Sequence, residues 1–162
     1  MTTSTAAPSI CSLNDLGDSP AGGKAEGLAR LISMGLSVPP GFVVLHASPN
    51  RLPDDLQNHY EALGNPVVAV RSSAIGEDSA GASFAGQYET MLNVQGIDQL
   101  RSAINQCLAS VGNDRAKAYK DEKTGFDQVQ MAVVVQQQVE ARCAGVLFTV
   151  DPVTNRRDHI II

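Results

Sequence analysis

Three cysteines (Cys11, Cys107 and Cys143) are all the chain has. With no CxxC and no histidine at ligand spacing beside them, they exclude a thiolate metal site, and their odd number argues against a disulfide framework. This usage fits a reducing cytoplasm. Positive charge is also scarce: 12 Lys and Arg against 17 Asp and Glu leave a formal net charge of −5. The cations are scattered, which speaks against a general nucleic-acid or membrane-surface binder, so any anion site must be built from a few local charges. No apolar run approaches the roughly 20 residues that span a bilayer. The opening MTTSTAAPSI lacks the basic stretch followed by an apolar run of a secretion signal, so residues 1–12 read as a flexible tail.

What is present is ordinary globular material, with 43% hydrophobic and 18% charged residues over 162 positions, enough for one domain with a core. Leu28, Leu31 and Ile32 fall at helical spacing and Gly35 stands where that helix would stop, which places its start near Gly22-Gly23-Lys24. Two glycines would leave the first amides of the helix unobstructed, and Lys24 adds a mobile cation, a combination suited to anions. Taken alone, GGK is also a plain glycine-rich turn with a solvated lysine, and it is not a Walker A motif. Pro39 and Pro40 block the helix, Phe42–Leu45 reads as a strand, and Asp54–Leu63 is a short helical candidate.

Val67–Val70 is a short apolar strand with Arg71 at its exit. Ser72, Ser73, Gly76, Ser79, Gly81, Ser83 and Gly86 follow, supplying hydroxyls and exposed amides without bulk, as phosphate-cradling loops do. On composition alone the same run is a polar loop between two strands. Leu100, Ile104, Cys107, Leu108 and Val111 mark an amphipathic helix over 97–111, with Cys107 in its core stripe, and a second helix is expected over 114–120. From Val129 the pattern alternates, predicting a strand with one mixed face; Ala144–Pro152 and Arg157–Ile162 predict two more, joined by a turn at VTNR.

The run AVRSSAIGEDSAGASFAGQYETMLNV resembles the hallmark segment of the phosphoenolpyruvate synthase and pyruvate phosphate dikinase nucleotide-binding domain, which rifampin phosphotransferases also carry. GGKAEGLARL followed by VPPGFVV is similar to that family's GGKGxNLxxL and VPxGF, with Ala25 in place of a Gly and Gly27 in place of an Asn. VQMAVVVQQQVEARCAGVLFTVDPVTN resembles its strand pair, and the segment with Arg115 and Tyr119 its RAxxYR. Relatives carry a longer helical insertion where this chain has residues 46–66.

The resemblance implies an α+β fold, the N-terminal lobe of an ATP-grasp with a mixed or antiparallel sheet and packed helices, over residues 13–162. It implies ATP as ligand, with Lys24, Arg71, Gly86, Thr90 and Gln136 at the nucleotide; Gln137 and Gln138 follow at once, and the pattern leaves open which of the three makes the contact. Magnesium is expected through residues of a second lobe that the family carries beyond the point matching Ile162, so the chain reads as a partial domain. The implied reaction moves a phosphoryl group from ATP to a histidine and on to pyruvate or a small hydroxyl acceptor. His46, His59 and His159 match none of the family's catalytic-histidine contexts and are assigned to loops or surface; Arg115 is assigned no catalytic role. The alternative is a non-catalytic module that keeps the fold and senses nucleotide or binds a partner. A sheet ending at 158–162 would leave apolar edge uncovered, so self-association or a separate chain with the second lobe is expected.

Overall fold

β-Branched runs separated by helical stripes build a sheet covered on both faces. In a computed structural model of the chain, which describes residues 7–17, 19–74, 90–118 and 131–161, five strands form one antiparallel sheet: β1 (Ser9–Ser12), β2 (Gly41–Leu45), β3 (Val68–Ala74), β4 (Thr90–Val94) and β5 (Met131–Gln137), in the order β1-β2-β5-β3-β4. Helix α1 (Gly22–Ser33) lies on one face, and α2 (Leu56–Ala62) and α3 (Ile97–Ala118) lie on the other. The fold is α+β, as expected.

Alternation along each strand divides the core in two. Phe42, Val44, Val68, Val70, Val133 and Val135 point toward α2 and α3, where they meet Tyr60 and the α3 stripe of Leu100, Ile104, Cys107 and Leu108. Val43, Leu45, Ala132 and Val134 point the other way, against Ala21 and Ala25 of α1 and against Leu13 and Leu16. Cys107 is thus a core residue, its thiol 3.8 Å from the Val70 carbonyl.

Gly35 ends α1 as the sequence predicts. It adopts φ +76, its amide donates to the Ile32 carbonyl and the Leu36 amide donates to the Leu31 carbonyl, which is a Schellman closure.

Several expectations are corrected. Ser9–Ser12, placed in the tail, pairs with β2 as an edge strand. Arg71 is not at the exit of its strand, because β3 continues through Ser72 and Ser73 to Ala74. The two helices expected over 97–111 and 114–120 are one continuous helix as far as Ala118. The alternation along β5 holds, with the polar Gln136 beside Ala132 and Val134 on its mixed face, but β5 is the central strand, and Met131–Gln136 are all buried because helices cover it from both sides. The two strands expected after residue 143 are reduced to a single bridge between Phe148 and Ile161. Among the described residues the edges of the sheet are therefore β1 and β4, not residues 158–161. The expected turn at VTNR does form, with the Asn155 amide donating to the Asp151 carbonyl at 2.8 Å.

Candidate functional site on the α1 face

Register decides which side chains share a face. Arg71 stands opposite Thr90 of β4 on one side and Val134 of β5 on the other. Gln136, two residues along β5 from Val134, stands opposite Ala69 of β3 and Gly41 of β2. Directly opposed residues in an antiparallel pair project to the same side, so Arg71, Thr90 and Gln136 belong to the face covered by α1, whose first turn carries Lys24. Four segments distant in sequence thus bring four of the five expected nucleotide residues to one side of the sheet. Gly86, the fifth, lies outside the described residues, as do Gly76, Ser79, Gly81 and Ser83.

The environments of the four differ. Arg71 and Lys24 are half-buried and Thr90 is exposed at the edge. Gln136 is 7% exposed, and its Nε2 donates to the Pro39 carbonyl at 3.0 Å. The three successive glutamines are distinguished by their surroundings. Gln138 exchanges hydrogen bonds with Asn93, donating to its Oδ1 at 2.7 Å and accepting from its amide at 2.8 Å. Gln137 is exposed, and both it and Gln138 line a recess of about 750 Å³ beside Pro39, Pro66 and Glu140. Asn93 reaches Gln138 because it sits at φ +58 where the β3–β4 register shifts, a bulge that turns the strand edge.

Two expectations about anion-binding groups change. The first amides of α1 are not unobstructed, because Oε1 of Glu26 accepts from the Gly22 amide at 3.2 Å and the Ala21 amide at 3.4 Å. A carboxylate folded back on a helix N-terminus meets the positive end of the dipole and satisfies orphan donors. Ser72 and Ser73 are no part of an open cradle, since both are fully buried in β3, and the Ser73 hydroxyl accepts from the Ala25 amide at 3.2 Å. Neither Glu26 nor Ser73 stands out by periodicity, and their partners become visible only once α1 is docked.

Among the described residues no group of three or more His, Cys, Asp or Glu is placed to hold a metal ion, and no helix is long and apolar enough to cross a membrane. Cys11, Cys107 and Cys143 form no disulfide with one another. Burial, with the Asp15 carboxylate adding to it, pushes the Cys11 thiol up, which disfavours the thiolate. His46 lies in the loop after β2, whereas His59 belongs to α2, where it pairs with Asp55 at 3.3 Å and tilts against the Phe42 ring.

His159 stands between two carboxylates, 2.9 Å from Asp158 and 3.5 Å from Asp151. The Thr154 hydroxyl, with the amides of Val153 and Thr154, holds the Asp151 carboxyl below its usual range; Arg156, then His159, does the same for Asp158. A carboxyl depressed in the folded turn stabilises that turn above the unfolded value, near pH 4, and the contribution is lost as pH falls through the depressed values. NMR titration should therefore find the Val153 and Thr154 amide signals moving with a midpoint below that of a free aspartate. Asp151→Asn should remove the response, and a midpoint at or above that of a free aspartate would contradict this account.

Comparison with known proteins places these features in context. Residues 45–162 match the family described as pyruvate phosphate dikinase, AMP/ATP-binding domain. The chain is similar to phosphoenolpyruvate synthase of Aeropyrum pernix, with 34% identity over 194 aligned positions that cover 87% of this chain and 24% of that protein. It is similar to the prodigiosin synthesizing transferase PigC of Serratia marcescens, with 36% identity covering 87% of this chain and 19% of that one. Rifampicin phosphotransferase of Bacillus subtilis is 48% identical over 59% of this chain and 11% of its own length. The chain thus spans less than a quarter of the length of each of these three relatives. The first alignment is longer than the 162 residues of the chain, so that relative has residues between the matched segments that this chain does without.

Proposed function

The chain belongs to the pyruvate phosphate dikinase AMP/ATP-binding domain family, and from that membership we propose that it binds ATP on the α1 face of its sheet as the nucleotide-binding part of a dikinase-like phosphotransferase. The observation that supports this reading is the register pairing of Arg71 with Thr90 on the face of the sheet covered by α1, the helix whose first turn carries Lys24. Phosphoryl transfer depends chiefly on positioning the triphosphate and balancing its charge. In this proposal Lys24 and Arg71 supply the positive charge, Thr90 a hydroxyl, and Gly86 an amide that approaches the phosphates closely. Gln136 lies near the nucleotide from the middle strand. Magnesium would be held by residues other than those described, and the phosphoryl group would pass to a histidine and then to pyruvate or a small hydroxyl acceptor on other parts of the assembly.

Calorimetric titration of ATP into wild type, Lys24→Ala, Arg71→Ala and Arg51→Ala tests the reading. A charge-assisted contact contributes about 1.5–3 kcal/mol, so each of the first two variants should bind roughly 10- to 100-fold more weakly. Arg51 is an exposed side chain in the loop after β2, whose neighbour Asn50 bonds to Asn105 of α3 on the opposite face, and its loss should change little. Equal binding by all four would sink the assignment of the cations. A partner-binding module that keeps the fold is the second reading, favoured by the exposed Val146, Leu147, Phe148, Val153 and Ile160. It becomes the better one if wild type itself takes up no ATP.

A further inference from the structure

We infer that Ser73 is a positioning residue for nucleotide binding, its buried hydroxyl tying the turn of α1 that carries Lys24 to the strand that carries Arg71. The inference rests on the ATP-binding reading above. Ser73 and Ala25 are both 0% exposed, and the bond between them joins residues 48 apart in sequence. Its neighbours across the sheet and on the helix are alkyl: Ala132 stands opposite Ser73 on β5, and Ala25 belongs to the same cluster as Ala132 and Val134. A hydroxyl in such a place is unfavourable unless it has a hydrogen-bond partner, and an alanine or valine would fill the position without that demand. The partner it finds is the amide of the residue that directly follows Lys24.

This bond keys α1 to the sheet. The N-cap residue, Ala21, has no side chain that can cap the helix; Glu26 gives polar anchoring within the helix, and Ser73 gives it across the fold. Glu26 satisfies amides but leaves the helix free to slide, because donor and acceptor move together. The Ser73 bond does not. Apolar packing of alanines on a valine surface is non-directional and tolerates small displacements, whereas a hydrogen bond weakens steeply with distance and angle. Arg71 precedes Ser73 by two residues on the same face, which sets the backbone positions of the two cations to either side of one fixed point. Sub-ångström placement of charges around a reacting phosphate has large effects on binding and rate.

The full chain is titrated with ATP as wild type, Ser73→Ala, Ser73→Thr, Lys24→Ala and the Ser73→Ala/Lys24→Ala double variant, while hydrogen exchange is followed at the Ala25 amide. Ser73→Ala should bind ATP about tenfold more weakly and exchange Ala25 faster. Ser73→Thr, which keeps the oxygen, should match wild type in both. In the Lys24→Ala background, Ser73→Ala should cause no further loss, because the cation it positions is gone. Wild-type affinity in Ser73→Ala overturns the inference and leaves the ATP reading standing. So does an undiminished penalty in the Lys24→Ala background, which would make the bond a matter of general stability. If Ser73→Ala does not fold, weakened ATP binding by a folded Ser73→Thr overturns the inference. Failure of wild type to bind ATP overturns the ATP reading itself, and the positioning role with it.

Discussion

Tyr60→Ala is expected to destabilise the fold by about 3–5 kcal/mol, the range for removing a large buried aromatic. Tyr60 is 2% exposed and lies in the cluster formed by α2, α3 and one face of the sheet. Its hydroxyl donates to the Pro66 carbonyl at 2.7 Å and accepts from the Gly96 amide at 2.9 Å. One side chain thereby fixes the turn that leads from α2 into β3 and the turn that leads from β4 into α3. Tyr60→Phe separates the two contributions. It keeps the ring but leaves a carbonyl and an amide without their partner, and should cost about 1–3 kcal/mol. Urea denaturation of the three proteins checks both numbers; a Phe variant as stable as wild type would mean that water replaces the hydroxyl without cost.

The second large effect is expected at Gly41, where β2 passes β5. A Cβ there would lie 2.9 Å from the Gln136 Cα and closer still to the Val135 carbonyl oxygen. These are backbone atoms of the central strand and cannot swing aside as a side chain could. Gly41→Ala should destabilise by about 1–3 kcal/mol, as overpacking does, and Gly41→Val by more. Because Gly41 faces Gln136 across the ladder, the residual folded protein should also show a displaced Gln136. Denaturation midpoints and the NMR shift of the Gln136 side-chain amide measure the two consequences. An alanine variant with wild-type stability would show that β2 and β5 can separate freely.

Local periodicity made α1, β2, α2 and the α3 stripe legible, because each forms from residues within a few turns of one another and ends at a signal such as Gly35. The misreadings share a cause. β1 is a strand only because β2 lies beside it, and β5 is buried on both faces only because α1 returns from a hundred residues earlier to cover the second one. Residues 144–161 show the converse. They have strand-like composition, yet apart from the Phe148–Ile161 bridge the described residues give them no pairing. At the site, Lys24, Arg71, Thr90 and Gln136 could be proposed from motif order. The sequestered hydroxyl of Ser73 and the back-folded Glu26 could not, because a hydrogen bond across 48 residues leaves no spacing pattern to read. The members of the glutamine triplet are distinguished only in the fold for a similar reason: identical neighbours differ only in what each finds within reach.

The order β1-β2-β5-β3-β4 places the last of the described strands in the middle of the sheet. As the polypeptide leaves the ribosome, β1 can pair with β2 and β3 with β4, but those two pairs share no ladder until residues 131–137 emerge. Insertion of β5 then closes loops of about ninety residues to β2 and sixty to β3 in one event, and contacts of such long range slow folding. Until it happens, Phe42 and Val44 on one pair and Val68 and Val70 on the other have no common interior. Joining of the two strand pairs into one sheet, and with it the setting of the helix that carries Lys24 and the strand that carries Arg71 on a common face, therefore waits for β5.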